Sequence, residues 1–302
     1  MTSARTMRVG RRTMEVHRPD KVLFPGEGDA KEYTKADLVA YYRSVARFML
    51  PRLRGRPLML ERYPDSLAGP RFMQKNTPEH YPDWIHRVEV DKEGGTVCHT
   101  VCDDTATLVY LADQACVTLH RWLSRADRPR RPDRIVFDLD PADDFDQVRC
   151  AARLVGELLG ELRLPSGLMT TGSRGLHVIV PISGHHDVDD IREFAADIAE
   201  TLAEAHPELL TTAARKKDRG DRLYLDVQRN AYAQTAVAPY SVRALPGAPV
   251  ATPLSWGQLD DPELHARRWT VADALDQART EPWAGLRPRA PEPARRRLAA
   301  LR

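Results

Sequence analysis

Acidic residues at the end of an apolar segment are the first candidates for chemistry. Asp138 and Asp140 end the segment RIVFDLD, two positions apart. In a β-strand this spacing places both carboxylates on one face, where they can share a cation. Such hard oxygen ligands suit Mg²⁺ or Mn²⁺, ions that bridge phosphate oxygens and activate an attacking hydroxyl. Asp226 lies in the apolar segment LYLD, where a buried carboxylate is costly without a partner, and a metal ion would be that partner.

An Asp-x-Asp pair is not specific when it is taken alone. The same pair occurs in loops and helix starts with a purely structural role, and in metal-dependent glycosyltransferases that use nucleotide sugars. Both alternatives stay open at this point.

A donor-rich turn, TGSRGLH, occupies residues 171–177. Its glycines permit close backbone approach, and Ser173, Arg174 and His177 offer donors to phosphate oxygens. The alternative is an ordinary glycine turn with a solvated Arg174 and a core His177. The order of acidic strand, helix, donor-rich turn, helix and second acidic strand favours a triphosphate site.

Two further groups have both a functional and a structural interpretation. Phe72 and Lys75 could stack on a base and hold a phosphate, or be a core aromatic and a solvated lysine. A basic run before Asp226 is typical of a solvated loop but also fits a loop that binds a nucleic-acid backbone; it comprises Lys216, Lys217, Arg219 and Arg222.

Three cysteines and a histidine resemble a four-ligand zinc set by their spacing: Cys98, Cys102, Cys116 and His120. We expect no zinc site, because a cysteine on an apolar helical face is usually a small hydrophobic residue. We expect His120 to face the acidic strand instead.

Hydrophobic periodicity predicts an α/β (α+β) chain. The predicted helices cover residues 34–50 with Thr34 as N-cap, 106–123, 145–162 and 192–206. The predicted strands include a hairpin within 84–101, a strand at 133–141, two short strands within 167–182 and a strand at 222–230. Residues 235–254 are expected to be irregular, and the tail 287–302 to be an exposed basic appendage with a short helix.

Composition sets the class of protein. A chain of 302 residues with 42% hydrophobic residues can bury a sizeable core, which excludes a small disulfide-stapled scaffold. The four cysteines, the absence of an apolar signal segment and the lack of an apolar run of about 20 residues predict a cytoplasmic protein. The net charge of +2 neither indicates nor excludes a polyanionic partner, although only seven of the 45 basic residues are lysines.

The motifs together resemble the polymerase domain of bacterial ATP-dependent DNA ligase D, within the archaeo-eukaryotic primase superfamily. The matching segments follow the family's order along nearly the whole chain: PDKVLFP, TKADLVAYY, RYPD, QKN, ATLVYLADQA, FDLDP, TGSRGLHV, LDVQRN, AQTAVAPYSVRA and ATPLSW. Arg174 stands where the family often has lysine.

The resemblance implies a role for each matching position. Asp138, Asp140 and Asp226 would be ligands of two divalent cations, with manganese preferred over magnesium, and His120 would lie beside the metal and the incoming nucleotide. Lys21 and Lys35 would bind a 5′-phosphate on the downstream strand, and the hairpin tip at residues 91–95 would contact DNA ends. The nucleotide-binding residues would be Phe72, Ser173, Arg174, His177, Gln228 and Arg243.

The resemblance also implies a fold and a function. We expect a primase-polymerase core at residues 1–286, with RRM-like antiparallel sheets flanked by helices, and a basic tail at 287–302. The expected activity is template-dependent nucleotidyl transfer, preferring ribonucleotides, at gaps or breaks that bear a 5′-phosphate, during non-homologous end joining. Expected partners are DNA with gaps or breaks, nucleoside triphosphates, Ku and a separate ligase, with no membrane partner. We expect a stand-alone polymerase that is located near the nucleoid. The alternatives are a catalytically silent DNA-end-binding module and a metal-dependent glycosyltransferase.

Overall fold

The computed structural model describes residues 4–26, 31–141 and 144–302. In these residues the helices are α1 Lys35–Leu53, α2 Thr105–Asp113, α3 Phe145–Glu161, α4 Val188–Ala205, α5 Ala274–Arg279 and α6 Glu292–Leu301. The strands are β1 Ala4–Val9, β2 Arg12–His17, β3 Val22–Phe24, β4 Tyr33–Thr34, β5 Leu58–Arg62, β6 Phe72–Gln74, β7 Arg87–Lys92, β8 Gly95–Thr100, β9 Cys116–Trp122, β10 Ser124–Arg125, β11 Arg128–Pro132, β12 Arg134–Asp140, β13 Gly167–Thr170, β14 Leu176–Pro181, β15 Leu210–Thr211, β16 Leu223–Asp226, β17 Thr235–Val237 and β18 Pro253–Leu254.

The chain divides into two compact units, each built from several segments. The first unit comprises Met1–Trp122, Val237–Thr252 and Trp269–Thr280. The second unit comprises Leu123–Ala236, Pro253–Arg268 and Glu281–Arg302.

A six-stranded sheet with the order β15-β16-β12-β14-β13-β18 is the centre of the second unit. Its pairs are antiparallel, except that β15 runs parallel to β16. Strand β12 carries Ile135, Val136, Phe137 and Leu139, all fully buried, which explains its inner position. Helices α3 and α4 pack on β12 through apolar residues at helical spacing, and they thereby hold the acidic strand in the core.

In the first unit, helix α1 packs against α2 and α5, and strand β5 pairs with both β9 and β6. The predicted N-cap is confirmed: the Asp37 amide donates to Thr34 Oγ1 (3.2 Å) and the Thr34 amide donates to Asp37 Oδ2 (2.7 Å). Tyr42 of α1 is buried, and its hydroxyl donates to the Val117 carbonyl of β9 (2.6 Å). Strands β1 with β2, and β7 with β8, form antiparallel hairpins.

The single helix predicted at residues 106–123 is wrong in its second half. Helix α2 ends at Asp113, Ala115 adopts a left-handed conformation (φ 55°), and β9 follows. Leu119 of β9 pairs with Leu60 of β5. A short apolar run fits a buried strand as well as a helix, and here sheet pairing with β5 decides the outcome. His120 therefore lies on a strand.

Other elements also differ from the sequence-based expectation. The second acidic strand ends at Asp226, and Gln228–Asn230 form a short 3-10 helix. The tail is not a simple appendage, because α6 buries Ala294 and Leu298, and Arg302 pairs with Asp197 of α4 (2.9 Å). The expected fold class, mixed α/β with antiparallel sheets, is confirmed. In the described part of the chain, no helix is both long and apolar enough to cross a membrane.

Candidate active site

Three carboxylates share one face of the central sheet in the second unit. On β12, Asp138 lies directly opposite Asp226 of β16, and on its other side opposite His177 of β14. Residues that face each other across paired strands project to the same side, and Asp140 is two positions further along β12. The strand register therefore brings Asp138, Asp140, Asp226 and His177 together.

Asp138 is almost buried and is held by His177 and Arg229. His177 Nε2 lies 3.2 Å from Oδ1, and Arg229 Nε donates to Oδ2 at 3.2 Å. Burial alone would raise the pKa of Asp138, but the charges and hydrogen bonds of His177 and Arg229 outweigh it and hold the pKa at about 2. Asp138 is thus ionised at neutral pH.

Asp140 and Asp226 are less enclosed than Asp138. Arg174 forms a salt bridge with Asp140, yet burial and the nearby charge of Asp138 raise the pKa of Asp140 above its usual value. Asp226 Oδ1 accepts a hydrogen bond from the Gln228 amide (2.7 Å). A further positive charge at this face would favour the ionised form of Asp140.

The glycine turn is pressed against β12 between the two aspartates of that strand. A Cβ atom on Gly175 would lie 1.9 Å from the Leu139 carbonyl oxygen, so only glycine fits there. Thr171 organises the turn, since its Oγ1 accepts from the amides of Ser173 (3.3 Å) and Gly175 (3.2 Å). This packing sets Arg174, which forms a salt bridge with Asp140, beside the acidic face.

A basic cavity of about 270 Å³ opens next to Asp140. Its cationic walls are Arg174, Lys216, Arg219 and Arg222. Arg219 stacks over the ring of Tyr224, another wall residue, at 4.1 Å from the centroid. The cluster of positive charge beside Asp140 is suited to a polyphosphate.

Several residues of this site were missed or under-weighted by the sequence reasoning. Asn230 is buried, accepts from the Val136 amide (2.9 Å) and donates to the Val136 carbonyl (2.8 Å), which fixes β12 to the 3-10 helix. Arg229, the partner of Asp138, was not singled out. The only sequence signal for these residues was the matched segment LDVQRN itself. Gln228, expected on the strand, is exposed on the 3-10 helix and accepts from Arg192 (3.1 Å).

Lys21 and Lys35 come together in the first unit. The Lys35 amide donates to the Lys21 carbonyl (2.8 Å). Lys21 Nζ lies 3.2 Å from Asp65 Oδ1, and Lys35 Nζ lies 3.5 Å from the buried Asp113. Burial lowers the pKa of Lys35 even though Asp113 opposes that shift.

Two other predicted residues of the first unit, His120 and Arg243, interact with Glu61. His120 Nε2 lies 3.6 Å from Glu61 Oε2, and the Tyr63 hydroxyl donates to Oε1 (3.1 Å). Burial would raise the pKa of Glu61, but His120, Tyr63 and the charge of Arg243 outweigh it and lower the pKa. Phe72 is an exposed aromatic, with 52% of its surface accessible. That His120 faces the acidic strand stays a prediction.

The three aspartates suit a hard divalent cation by the chemistry of their donors. Their carboxylates share one face, and each has its charge balanced or hydrogen-bonded by protein groups, chiefly Arg174 and Arg229. Among the described residues, no group of three or more His, Cys, Asp or Glu side chains converges closely enough to hold a metal ion as placed.

Comparison with known proteins gives consistent matches. A family model described as "LigD, primase-polymerase domain" matches residues 34–283. The solved "Polymerase Domain from Mycobacterium tuberculosis Ligase D in complex with DNA" is similar with a TM-score of 0.80 and 30% identity, covering 87% of this chain and 93% of that chain.

Full-length relatives are similar over a part of their length. The "Multifunctional non-homologous end joining protein LigD" of Mycolicibacterium smegmatis is 34% identical over 86% of this chain and 34% of its own length. The "Bifunctional non-homologous end joining protein LigD" of Bacillus subtilis is 32% identical over 87% of this chain and 42% of its own length. The chain thus spans less than half the length of these relatives.

Proposed function

The chain belongs to the LigD primase-polymerase domain family, and from this premise we propose that it is a template-dependent nucleotidyltransferase that fills gaps or extends breaks in DNA bearing a 5′-phosphate. The observation that supports the proposal most is the acidic face of the central sheet, where Asp138, Asp140 and Asp226 adjoin a cavity lined by cations. A nucleotidyl transfer site needs both parts, because carboxylates position divalent ions and cations bind the triphosphate.

We propose Asp138, Asp140 and Asp226 as the residues that hold two divalent cations, Mn²⁺ or Mg²⁺. Bound ions of this kind activate a hydroxyl and neutralise charge on the leaving pyrophosphate. Asp138 suits the role because it is ionised far below neutral pH. His177 is the positioning residue that fixes Asp138 through its Nε2 (3.2 Å).

The triphosphate is proposed to lie in the basic cavity beside Asp140. Arg174 of the glycine turn and the basic run that includes Arg219 supply donors to the cavity. A contact of Ser173 with the triphosphate is carried from the family resemblance. Binding of the triphosphate would compete with Asp140 for Arg174, which frees that carboxylate for a cation. Contacts of His120, Gln228, Arg243 and Phe72 with the nucleotide are carried from the family resemblance and are proposals.

The DNA partner is proposed on two grounds. The structural neighbour is a polymerase domain in complex with DNA, and the relatives are named as end-joining proteins. Lys21 and Lys35 of this chain, joined by a backbone hydrogen bond, are a pair of cations suited to a 5′-phosphate. We extend the proposal to a preference for ribonucleotides, to end joining with Ku and a separate ligase, and to a nucleoid location.

The test is incorporation of nucleotides on a gapped, 5′-phosphorylated duplex with Mn²⁺, with ribo- and deoxyribonucleotides compared. The native chain is expected to extend the primer, and Asp138→Asn to lose at least about 100-fold in rate, as expected when an essential electrostatic group is removed. Glu157→Gln is the matched control, since Glu157 is an exposed carboxylate on α3 outside the site, and it should extend like the native chain.

Other outcomes point to the alternatives. Binding that depends on the 5′-phosphate without any extension would favour a silent end-binding module. Transfer from a nucleotide sugar, with no DNA binding, would favour the glycosyltransferase and overturn the proposal.

A further inference from the structure

A groove runs along one side of helix α1 in the first unit, facing the β1–β2 hairpin. It consists of two neighbouring cavities of about 500 and 680 Å³ that share Arg43 of α1 as a wall residue. The first cavity has a largely apolar floor that includes Val16, Val39 and Ala40, with Arg5 at its edge. The second cavity is lined by Arg11 and Arg12 at the hairpin turn. We call these two cavities together the hairpin groove.

The arginines of the hairpin groove have no carboxylate at ion-pair distance within the described part of the chain. Across residues 4–26, 31–141 and 144–302, no carboxylate lies at ion-pair distance from Arg5, Arg11, Arg12 or Arg43, all of which are exposed. Asp104 lines the second cavity, but its side chain caps α2 by accepting from the Thr107 amide (2.7 Å). Four arginines against the single carboxylate of Asp104 leave the lining of the groove net positive. A net positive groove is a binding surface for a polyanion.

One end of the hairpin groove coincides with the lysine pair. Pro19 and Ala36 line the first cavity, and the Ala36 amide donates to the Pro19 carbonyl (2.9 Å). Lys35 is the neighbour of Ala36 in the chain, and Lys21 is two residues from Pro19. The groove therefore leads away from the position proposed for a 5′-phosphate.

We infer that the hairpin groove binds the sugar–phosphate backbone of the downstream DNA strand whose 5′-phosphate is held at Lys21 and Lys35. The inference rests on the proposed function and adds a contact surface to it. Phosphates meet the arginines on the two sides, and the C–H edges of the deoxyribose rings meet the apolar floor. These contacts carry no base specificity, as gap filling at arbitrary sequences requires.

The dimensions fit a short run of nucleotides. From Ala36 to Ser44, the two ends of the α1 wall of the first cavity, the helix rises by about 12 Å at 1.5 Å per residue. One strand of B-DNA advances by about 3.4 Å per phosphate along the axis, so this wall spans about three to four phosphates. A downstream duplex arm must therefore exceed about four base pairs to occupy the hairpin groove.

The test is equilibrium binding of the full chain to gapped duplexes that all carry a 5′-phosphate, with downstream arms of about 2, 4, 8 and 16 base pairs, at several salt concentrations. The test variant is Arg5→Gln/Arg11→Gln/Arg43→Gln. The charge-matched control is Arg163→Gln/Arg287→Gln/Arg289→Gln, three exposed arginines of the second unit. A second variant, Arg5→Lys/Arg11→Lys/Arg43→Lys, retains the charge and separates loss of charge from loss of folding.

For the native chain, affinity should rise with arm length up to about eight base pairs. The glutamine variant should bind the 8-base-pair arm about tenfold more weakly or worse, with a loss under about twofold on the 2-base-pair arm. Its salt slope should fall by about 2 to 3, since each lost phosphate contact removes about 0.9. The lysine variant and the control triple should keep the native arm-length dependence.

Equal losses on every arm, or an unchanged salt slope on long arms, would overturn the inference. The inference would also be overturned if the native chain bound poly-glutamate peptide, and the glutamine variant lost that binding but still bound DNA like the native chain. The groove would then serve an acidic peptide. The two proposals fail separately. If the native chain extends the primer but its affinity does not depend on arm length, only the inference about the groove is overturned. If its affinity depends on arm length but it does not extend the primer, only the proposed polymerase activity is overturned.

Discussion

Gly175→Ala is a direct probe of how closely the glycine turn must approach the acidic strand. The added Cβ would lie 1.9 Å from the Leu139 carbonyl oxygen, whereas real Cβ contacts stay beyond 3.0 Å. The turn must therefore retreat from β12 by about 1.1 Å, because Leu139 pairs with strands on both sides and cannot move freely. Ser173 and Arg174 would move with the turn.

A shift of about 1 Å in positioning groups costs on the order of 100-fold in rate, and overpacking costs about 1 to 3 kcal/mol in stability. We therefore expect primer extension by Gly175→Ala to fall about 100-fold, with a Tm lowered by about 2 to 12 °C, at about 2 to 4 °C per kcal/mol for a unit of this size. The assay is single-turnover extension on gapped DNA, together with thermal unfolding.

The control for this probe is Gly160→Ala. Gly160 lies within α3, and an added Cβ there meets nothing within 4 Å. It should keep native extension and raise stability by up to about 1 kcal/mol, since alanine is the better helix former. Near-native extension and Tm for Gly175→Ala would refute the close-approach argument.

Three further predictions concern Asp138 of the acidic face, Asn230 beside strand β12, and Asp113, the acidic partner of Lys35. Because the pKa of Asp138 is lowered, its ionised form contributes on the order of 2 kcal/mol to stability above pH 4, and this contribution is lost as pH falls towards 2. The free energies of unfolding of the native and Asp138→Asn chains, measured between pH 5 and 2, should therefore converge at the acid end. Asn230→Ala removes buried hydrogen bonds to Val136 and should lower the free energy of unfolding by about 2 to 4 kcal/mol, measured by urea unfolding. An unchanged urea midpoint would contradict this role of Asn230. Asp113→Ala leaves the nearly buried Lys35 without its acidic partner and should destabilise by about 3 kcal/mol at pH 7, a loss that Lys35→Met in the same chain should largely reverse.

Local sequence patterns were sufficient to predict the helices and strands whose start or spacing signals lie within a few residues of one another. Thr34 and Asp37 form the capping box that starts α1, and the apolar segment ending in Asp138 and Asp140 is the predicted strand. The period of two alone put those two carboxylates on one face. The order of short motifs along the chain was specific enough to indicate the family, which the comparisons confirm.

Tertiary structure decided what depends on partners distant in sequence. Cys116–Trp122 is a strand rather than the end of a helix because β5 is there to pair with it, and an apolar run carries no information about that neighbour.

The register of β16 against β12 places Asp226 opposite Asp138, and pairing across 88 positions cannot be read from local spacing. Arg229 and Asn230 acquire their roles only when that register brings them to β12. The sequence by itself determined which residue types are present and which of them share a strand, and only the packed sheet determined which charges meet, because long-range pairing sets the distances on which electrostatic interactions depend.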